Sequence, residues 1–188
     1  MANQRKIPVL PETPEILAAR SQWTYTGVRR PQFAESCGAQ EESVWDYPRP
    51  PRIDDVSSTL RVFAGKQLVA ESTAGKRVLE TAGAPTYYFP PGDVDHSLIE
   101  YGDLSSLCEW KGVAQSVHAA GVQDAGWRYV RMFEAFIDLY EWVSFYPARV
   151  LCFVDIEQAQ PQPGGYYGGW VTASLRGPVK GVPDSNAW

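Results

Sequence analysis

Leu60-Arg61-Val62-Phe63-Ala64-Gly65-Lys66-Gln67-Leu68-Val69-Ala70-Glu71-Ser72 carries the clearest local signal in the chain, two runs of β-formers parted by a glycine and one polar residue. Glycine accepts the positive φ that the first position of a two-residue type II′ turn demands. The stretch therefore predicts a hairpin with Phe63 opposite Leu68 and Val62 opposite Val69. Further along, residues 77–81 and 86–89 predict a second strand pair around Ala82-Gly83-Ala84-Pro85, stopped by Pro90-Pro91-Gly92-Asp93. Residues 94–99 predict a short helix or turn. Residues 108–118 and 127–131 predict strands flanking a turn over 121–126, and 142–146 and 149–155 predict closing strands around Pro147. Phe133, Phe136, Ile137 and Tyr140 have the spacing of one helical face, over about two turns. The expected fold is mainly β, a single domain with little helix. Three segments follow: an N-terminal arm (1–42) with one candidate strand at Trp23-Thr24-Tyr25-Thr26, a β domain (43–157), and a Gly/Pro/aromatic tail (158–188). That tail is too poor in core residues to fold alone, and Tyr166, Tyr167 and Trp170 favour its docking on the domain.

Composition narrows the function. The chain has 188 residues, 44% hydrophobic and 13% aromatic, which suits a globular domain with aromatic residues to spare for a pocket. Its net charge of −5 and dispersed basic residues argue against a nucleic-acid partner, which would call for a basic stripe. Three cysteines at wide spacing, Cys37, Cys108 and Cys152, offer neither a disulfide framework nor a zinc knuckle, so no metal site is expected. Prolines and glutamates interrupt every hydrophobic run of the first thirty residues, and no stretch approaches the ~20 apolar residues of a membrane span. A soluble, cytoplasmic protein without a membrane partner is the expectation.

The densest chemistry lies in Cys108-Glu109-Trp110-Lys111-Gly112. Cys108 is either a nucleophile favoured by the Lys111 cation or a buried strand thiol. Glu80, between Leu79 and Thr81 in an apolar run, requires a partner, and Lys111 is the natural one. The pair is either a structural ion pair or a site in which Glu80 acts as acid or base and Lys111 holds an anion. Tyr88, Trp110, Trp127 and Tyr129, with Tyr87 nearby, are candidates for an aromatic cage around a flat or cationic ligand.

Several motifs, in order, resemble one known family: Glu42-Ser43-Val44-Trp45-Asp46-Tyr47-Pro48-Arg49-Pro50-Pro51, the run from Leu79 to Pro91 containing Glu80-Thr81-Ala82-Gly83-Ala84-Pro85, the run from Cys108 to Ala114, and Phe145-Tyr146-Pro147. The family is domain of unknown function 427, also labelled nucleotidyltransferase-like. The tail motif Gly164-Gly165-Tyr166-Tyr167-Gly168-Gly169-Trp170 is similar to that of longer bacterial members. The resemblance implies a β-tent-like fold of coiled, mostly antiparallel sheets, similar to methionine sulfoxide reductase B and the ligand-binding domain of cereblon. It implies no defined reaction and leaves the cofactor unknown. Two-metal phosphoryl transfer needs clustered carboxylates, and Asp93-Val94-Asp95 is the only D-x-D.

Three functions remain open. The first is a small-molecule-binding β domain with an aromatic pocket and a Glu80/Lys111 polar pair. The second is an enzyme, a hydrolase or an acyl or nucleotidyl transferase, using Glu80, Lys111 and Cys108. The third is an interaction protein using its tail. A homo-oligomer is compatible with each.

Overall fold

The computed structural model describes residues 7–188, so residues 1–6 of the expected arm lie outside the described residues. After a helix α1 (Pro14–Ser21), the strands in chain order are β1 (Glu42–Ser43), β2 (Arg52–Asp55), β3 (Leu60–Ala64), β4 (Gln67–Ser72), β5 (Lys76–Leu79), β6 (Thr86–Tyr88), β7 (Ile99–Cys108), β8 (Gly112–Ala119), β9 (Val122–Met132), β10 (Val143–Phe145), β11 (Leu151–Val154), β12 (Glu157–Gln158), β13 (Gln160–Pro161), β14 (Trp170–Val171) and β15 (Leu175–Arg176). They form sheets ordered β10-β9-β8-β7, β12-β11-β3-β4 and β2-β5-β6, with two small pairs, β13-β14 and β1-β15. The protein is mainly β, and among these strands only β1 and β15 pair in parallel. No helix among the described residues is long and apolar enough to cross a membrane.

The β3–β4 hairpin turns at Gly65, whose φ is +62°, and pairs Phe63 with Leu68 as the sequence predicts. The next pair differs. A bulge shifts the register so that Val62 faces Ala70 rather than Val69. The extra residue breaks the two-residue alternation, and both Val69 and Ala70 are buried. In the second pair Arg77 faces Tyr87 and Val78 faces Thr86, but β5 stops at Leu79, leaving Glu80 just past the strand.

One predicted turn is misplaced and another turn falls where a strand is predicted, each for a backbone reason. Ala120 and Gly121 both have positive φ, the signature of a two-residue type I′ turn, so β9 begins at Val122 instead of after residue 126. Glu109-Trp110-Lys111 is not the start of a strand but the tip of the β7–β8 hairpin, closed where Cys108 pairs with Gly112. Gly112 has φ +128° and lies so close to the Arg131 and Met132 backbone that a side chain there would collide with it. Cys108 and Trp110 therefore do not alternate along one strand.

The remaining differences are local. The predicted helical face at 133–140 is a 3₁₀ helix, Glu134–Leu139, which buries Phe133, Phe136 and Leu139, the three-residue spacing of that tighter coil, in place of Ile137 and Tyr140. Trp23-Thr24-Tyr25-Thr26 forms no strand. In the same arm, α1 is capped by the Thr13 hydroxyl, which accepts from Ile16 N at 3.5 Å, with Pro14 at its first position. Arg20 in its last turn donates Nε to the Glu109 carbonyl at 2.7 Å and stacks on Trp110 and Phe133.

The largest core cluster joins Leu60, Val62, Val69, Phe89, Phe145 and Trp170. Trp170 comes from the tail, is fully buried, donates its indole N–H to the Phe145 carbonyl at 2.9 Å and packs on Tyr87 at a centroid distance of 4.9 Å. Gln162 adds a second anchor, accepting from Ala84 N at 3.0 Å and donating to the Lys180 carbonyl at 2.9 Å. Trp170→Ala removes both the packing and the hydrogen bond, so urea denaturation is expected to show a loss of about 3–5 kcal/mol. A loss below about 1 kcal/mol, the range of a surface substitution, would place the tail outside the cooperative unit.

Candidate functional site

A cavity of about 600 Å³ lies among β5–β6, the β7–β8–β9 sheet and the tail. Tyr88 from β6 and Trp127 and Tyr129 from β9 wall it, with Tyr88 and Trp127 edge-to-face at 6.1 Å and Tyr88 and Tyr129 at 6.5 Å. The two β9 residues share a face by strand alternation, and the Phe89–Val143 bridge joins the end of β6 to β10, the neighbour of β9, which brings Tyr88 to them. The tail closes one side: Gly168 lies so near the Trp127 ring that any side chain there would displace it.

Glu80 sits at the charged end. Its Oε1 is 3.3 Å from Arg49 and its Oε2 is 3.8 Å from Lys111, so one carboxylate is shared between two cations. Lys111 reaches it from the β7–β8 turn. Cys108, at the end of β7, lines the same space, and its thiol faces Glu109 Oε2 at 3.8 Å. The structure thus gathers Glu80, Lys111, Cys108, Tyr88, Trp127 and Tyr129 around one cavity. It does not bring Trp110 there. That indole lies in the β7–β8 turn, packed in the same buried cluster as Tyr88, Trp127, Tyr129, Met132 and Phe136 and covered by Arg20, but it does not line the cavity. Tyr87 likewise packs in the core against Trp170.

Arg49, Trp23, Lys180 and Tyr167 line the cavity and escaped sequence reasoning. Arg49 donates to the Tyr25 and Thr81 carbonyls at 2.8 and 2.9 Å and stacks on Trp23 at 4.5 Å. Lys180 sits 3.6 Å from the center of the same indole and donates to the Trp188 backbone oxygen at 3.0 Å. Trp23 Nε1 in turn donates to Glu109 Oε1 at 3.1 Å. Arg49, a cation between Pro48 and Pro50, and Tyr167, within the Gly164–Trp170 tail motif, carry a sequence signal. Trp23 and Lys180 come from arm and tail positions with no pattern that points to a site.

Burial shapes the protonation of these groups. It opposes the Lys111 ammonium, yet the neighbouring Cys108 and Glu80 outweigh it and hold its pKa above the ordinary lysine value. Lys180 goes the other way, lowered to about 8 by burial and by the Arg49 charge, with Glu80 and Glu109 only partly compensating. Burial lowers Arg49 as well, against the pull of Glu80, although a guanidinium remains charged throughout the physiological range. Tyr88 is raised by burial, and Tyr129 further still by burial and the adjacent Tyr88.

A family model for a domain of unknown function, DUF427, matches residues 52–157, more than half of the chain. The chain belongs to the DUF427 family. No curated protein matches it. Within the DUF427 segment lie Glu80, Tyr88, Cys108, Lys111, Trp127 and Tyr129. Trp23, Arg49, Tyr167, Gly168 and Lys180 fall outside it, so the cavity is completed by the arm and tail that flank the DUF427 domain.

The raised tyrosines fix the direction of alkaline stability. In the unfolded chain Tyr88 and Tyr129 ionise near 10, whereas the native state keeps them neutral; stability is whole below pH 10 and falls as pH rises beyond it. Tyrosinate absorbance from these two residues should therefore appear together with loss of the native circular dichroism. Reversible ionisation of every tyrosine near pH 10 with the fold intact would contradict their burial.

Proposed function

We propose that this DUF427 protein binds a small molecule with a flat, apolar body in the cavity walled by Tyr88, Trp127 and Tyr129. The observation that carries the reading is the distribution of unsatisfied polar atoms. Seven buried side-chain N or O atoms among the described residues lack a protein hydrogen-bond partner, and four of them, Arg49 Nε, Tyr88 Oη, Ser116 Oγ and Asp124 Oδ1, belong to residues lining this cavity. A buried polar atom left unpaired costs about 1–3 kcal/mol, which favours a role for such atoms in meeting a ligand. The volume falls within the ~300–1,000 Å³ range of small-molecule sites, and aromatic walls with a few polar groups are their usual lining.

A catalytic reading has one specific support, the convergence of Glu80, Lys111 and the Cys108 thiol on the same space. Glu80 could serve as acid or base, Lys111 could stabilise an anion, and Cys108 could act as nucleophile in hydrolysis or acyl transfer. Against it, Glu80 is already engaged by two cations, and no imidazole lines the cavity to activate the thiol. Nucleotidyl transfer would further require gathered carboxylates, and among the described residues no three His, Cys, Asp or Glu side chains are placed to hold a metal ion. Binding is the simpler use of the geometry.

A panel of soluble aromatic and heteroaromatic fragments, screened by ligand-observed NMR, tests this. Thr86 lines the cavity from β6 and is partly exposed, so Thr86→Phe fills space without a core substitution. Fragments that bind the wild type are expected to weaken at least tenfold in this variant, about 1.4 kcal/mol. Equal binding to both proteins would move the site elsewhere and sink the proposal.

A further inference from the structure

The charged end of the cavity is richer in donors than in acceptors. Three cations line it, Arg49, Lys111 and Lys180, each less than a tenth exposed, in a chain whose overall charge is −5. Two carboxylates face them, both already committed, while the third that lines the cavity, Asp124, lies beside His118. Glu80 divides its oxygens between Arg49 and Lys111, and Glu109 accepts from Trp23 Nε1 and the Cys108 thiol. Arg49 uses both of its terminal nitrogens on backbone carbonyls, yet its Nε has no protein partner. An arginine Nε–H can only donate, so only an acceptor satisfies it. The Tyr88 hydroxyl, fully buried in the same lining, is also without a partner.

We infer that the molecule bound in this cavity carries an anionic group, a carboxylate or a phosphate monoester, received at the corner formed by Arg49 and Lys180. The inference rests on the binding role proposed above and specifies its chemistry. Trp23 holds both cations in place: each stacks on its indole, which fixes their positions before any ligand arrives. Charge-assisted hydrogen bonds are strongest where water is excluded, and this corner is screened by the arm on one side and the tail on the other. A flat body against Trp127 with an acidic group toward Arg49 uses both ends of the cavity. Lys180 adds a pH signature. Its pKa of about 8 means that its charge, and with it part of the advantage of an anionic ligand, declines as pH rises above 8.

Isothermal titration of the full chain with three probes on one body, 3-phenylpropionate, 3-phenylpropyl phosphate and 3-phenylpropan-1-ol, tests the inference. At neutral pH and low salt at least one of the two acids is expected to bind tenfold or more tightly than the alcohol, and comparison of the two acids separates carboxylate from phosphate recognition. Lys180→Gln should narrow the acid-to-alcohol ratio severalfold. Arg49→Lys, which keeps the charge and removes Nε–H, should narrow it too, and the Lys180 variant suffices if the Arg49 variant fails to fold. Equal affinity for acid and alcohol overturns the anionic group while leaving the binding cavity standing. Acids whose affinity is untouched by Thr86→Phe or by Lys180→Gln bind elsewhere and also overturn it. Failure of all three probes to bind takes down the reading of an aromatic-bodied ligand, and this inference with it.

Discussion

The burial of Trp170 is the constraint on which the rest of the molecule depends. Its indole sits among Tyr87, Phe89 and Phe145, in the center of the core that joins the sheets, and its N–H is satisfied by the Phe145 carbonyl. An aromatic side chain of this size, buried with its polar atom paired, anchors the segment that carries it. Once Trp170 is seated, the residues on either side lose their freedom. Gly168 is laid against Trp127, Gln162 is drawn to Ala84 and Lys180, and Lys180 is brought to Trp23. A glycine-rich tail with little hydrophobic content of its own thus becomes one wall of a cavity.

The second organising element is electrostatic. Removing ions from water is costly, and mutual attraction repays that cost only when the geometry is good and the remaining donors are satisfied. At Glu80 the arrangement is incomplete: the Arg49 contact is short, the Lys111 contact is long, and one guanidinium donor is left over. A core built only for stability would replace such a cluster with apolar side chains. Its retention beside an aromatic-walled space accords with a role in recognition, and the depressed Lys180 and elevated Lys111 show how unevenly the field falls across a few residues.

Much of the fold was legible in the sequence because it rests on local chemistry. Gly65 followed by Lys66 specifies its turn through one backbone preference, and Pro90-Pro91-Gly92 ends β6 for the same kind of reason. What escaped notice depends on features that local pattern does not encode. The bulge beside Val62 inserts one residue into an otherwise regular alternation. Ala120 adopts a positive φ with no side-chain signal, and the apolar residues of the long, mostly exposed β7, Ile99, Tyr101, Leu104 and Leu107, do not keep the two-residue alternation by which strands are recognised. The site divides along the same line. Glu80, Lys111, Tyr88, Trp127 and Tyr129 stand out by their chemistry, whereas Trp110 falls outside the cavity lining, in a turn where the sequence predicts a strand. Trp23 and Lys180 meet only through the folding of both ends onto the domain, which no short-range spacing foretells.

That dependence on both ends bears on how the protein comes into being. Translation delivers the aromatic wall early, with Tyr88, Trp127 and Tyr129 all emerging before residue 158, while Gly168 and Lys180 come last. Segments tend to fold as they leave the ribosome, N-terminal parts first. Until residues 158–180 have been made and Trp170 has found its place, the aromatic wall lacks its cover at Gly168 and the charged corner lacks Lys180.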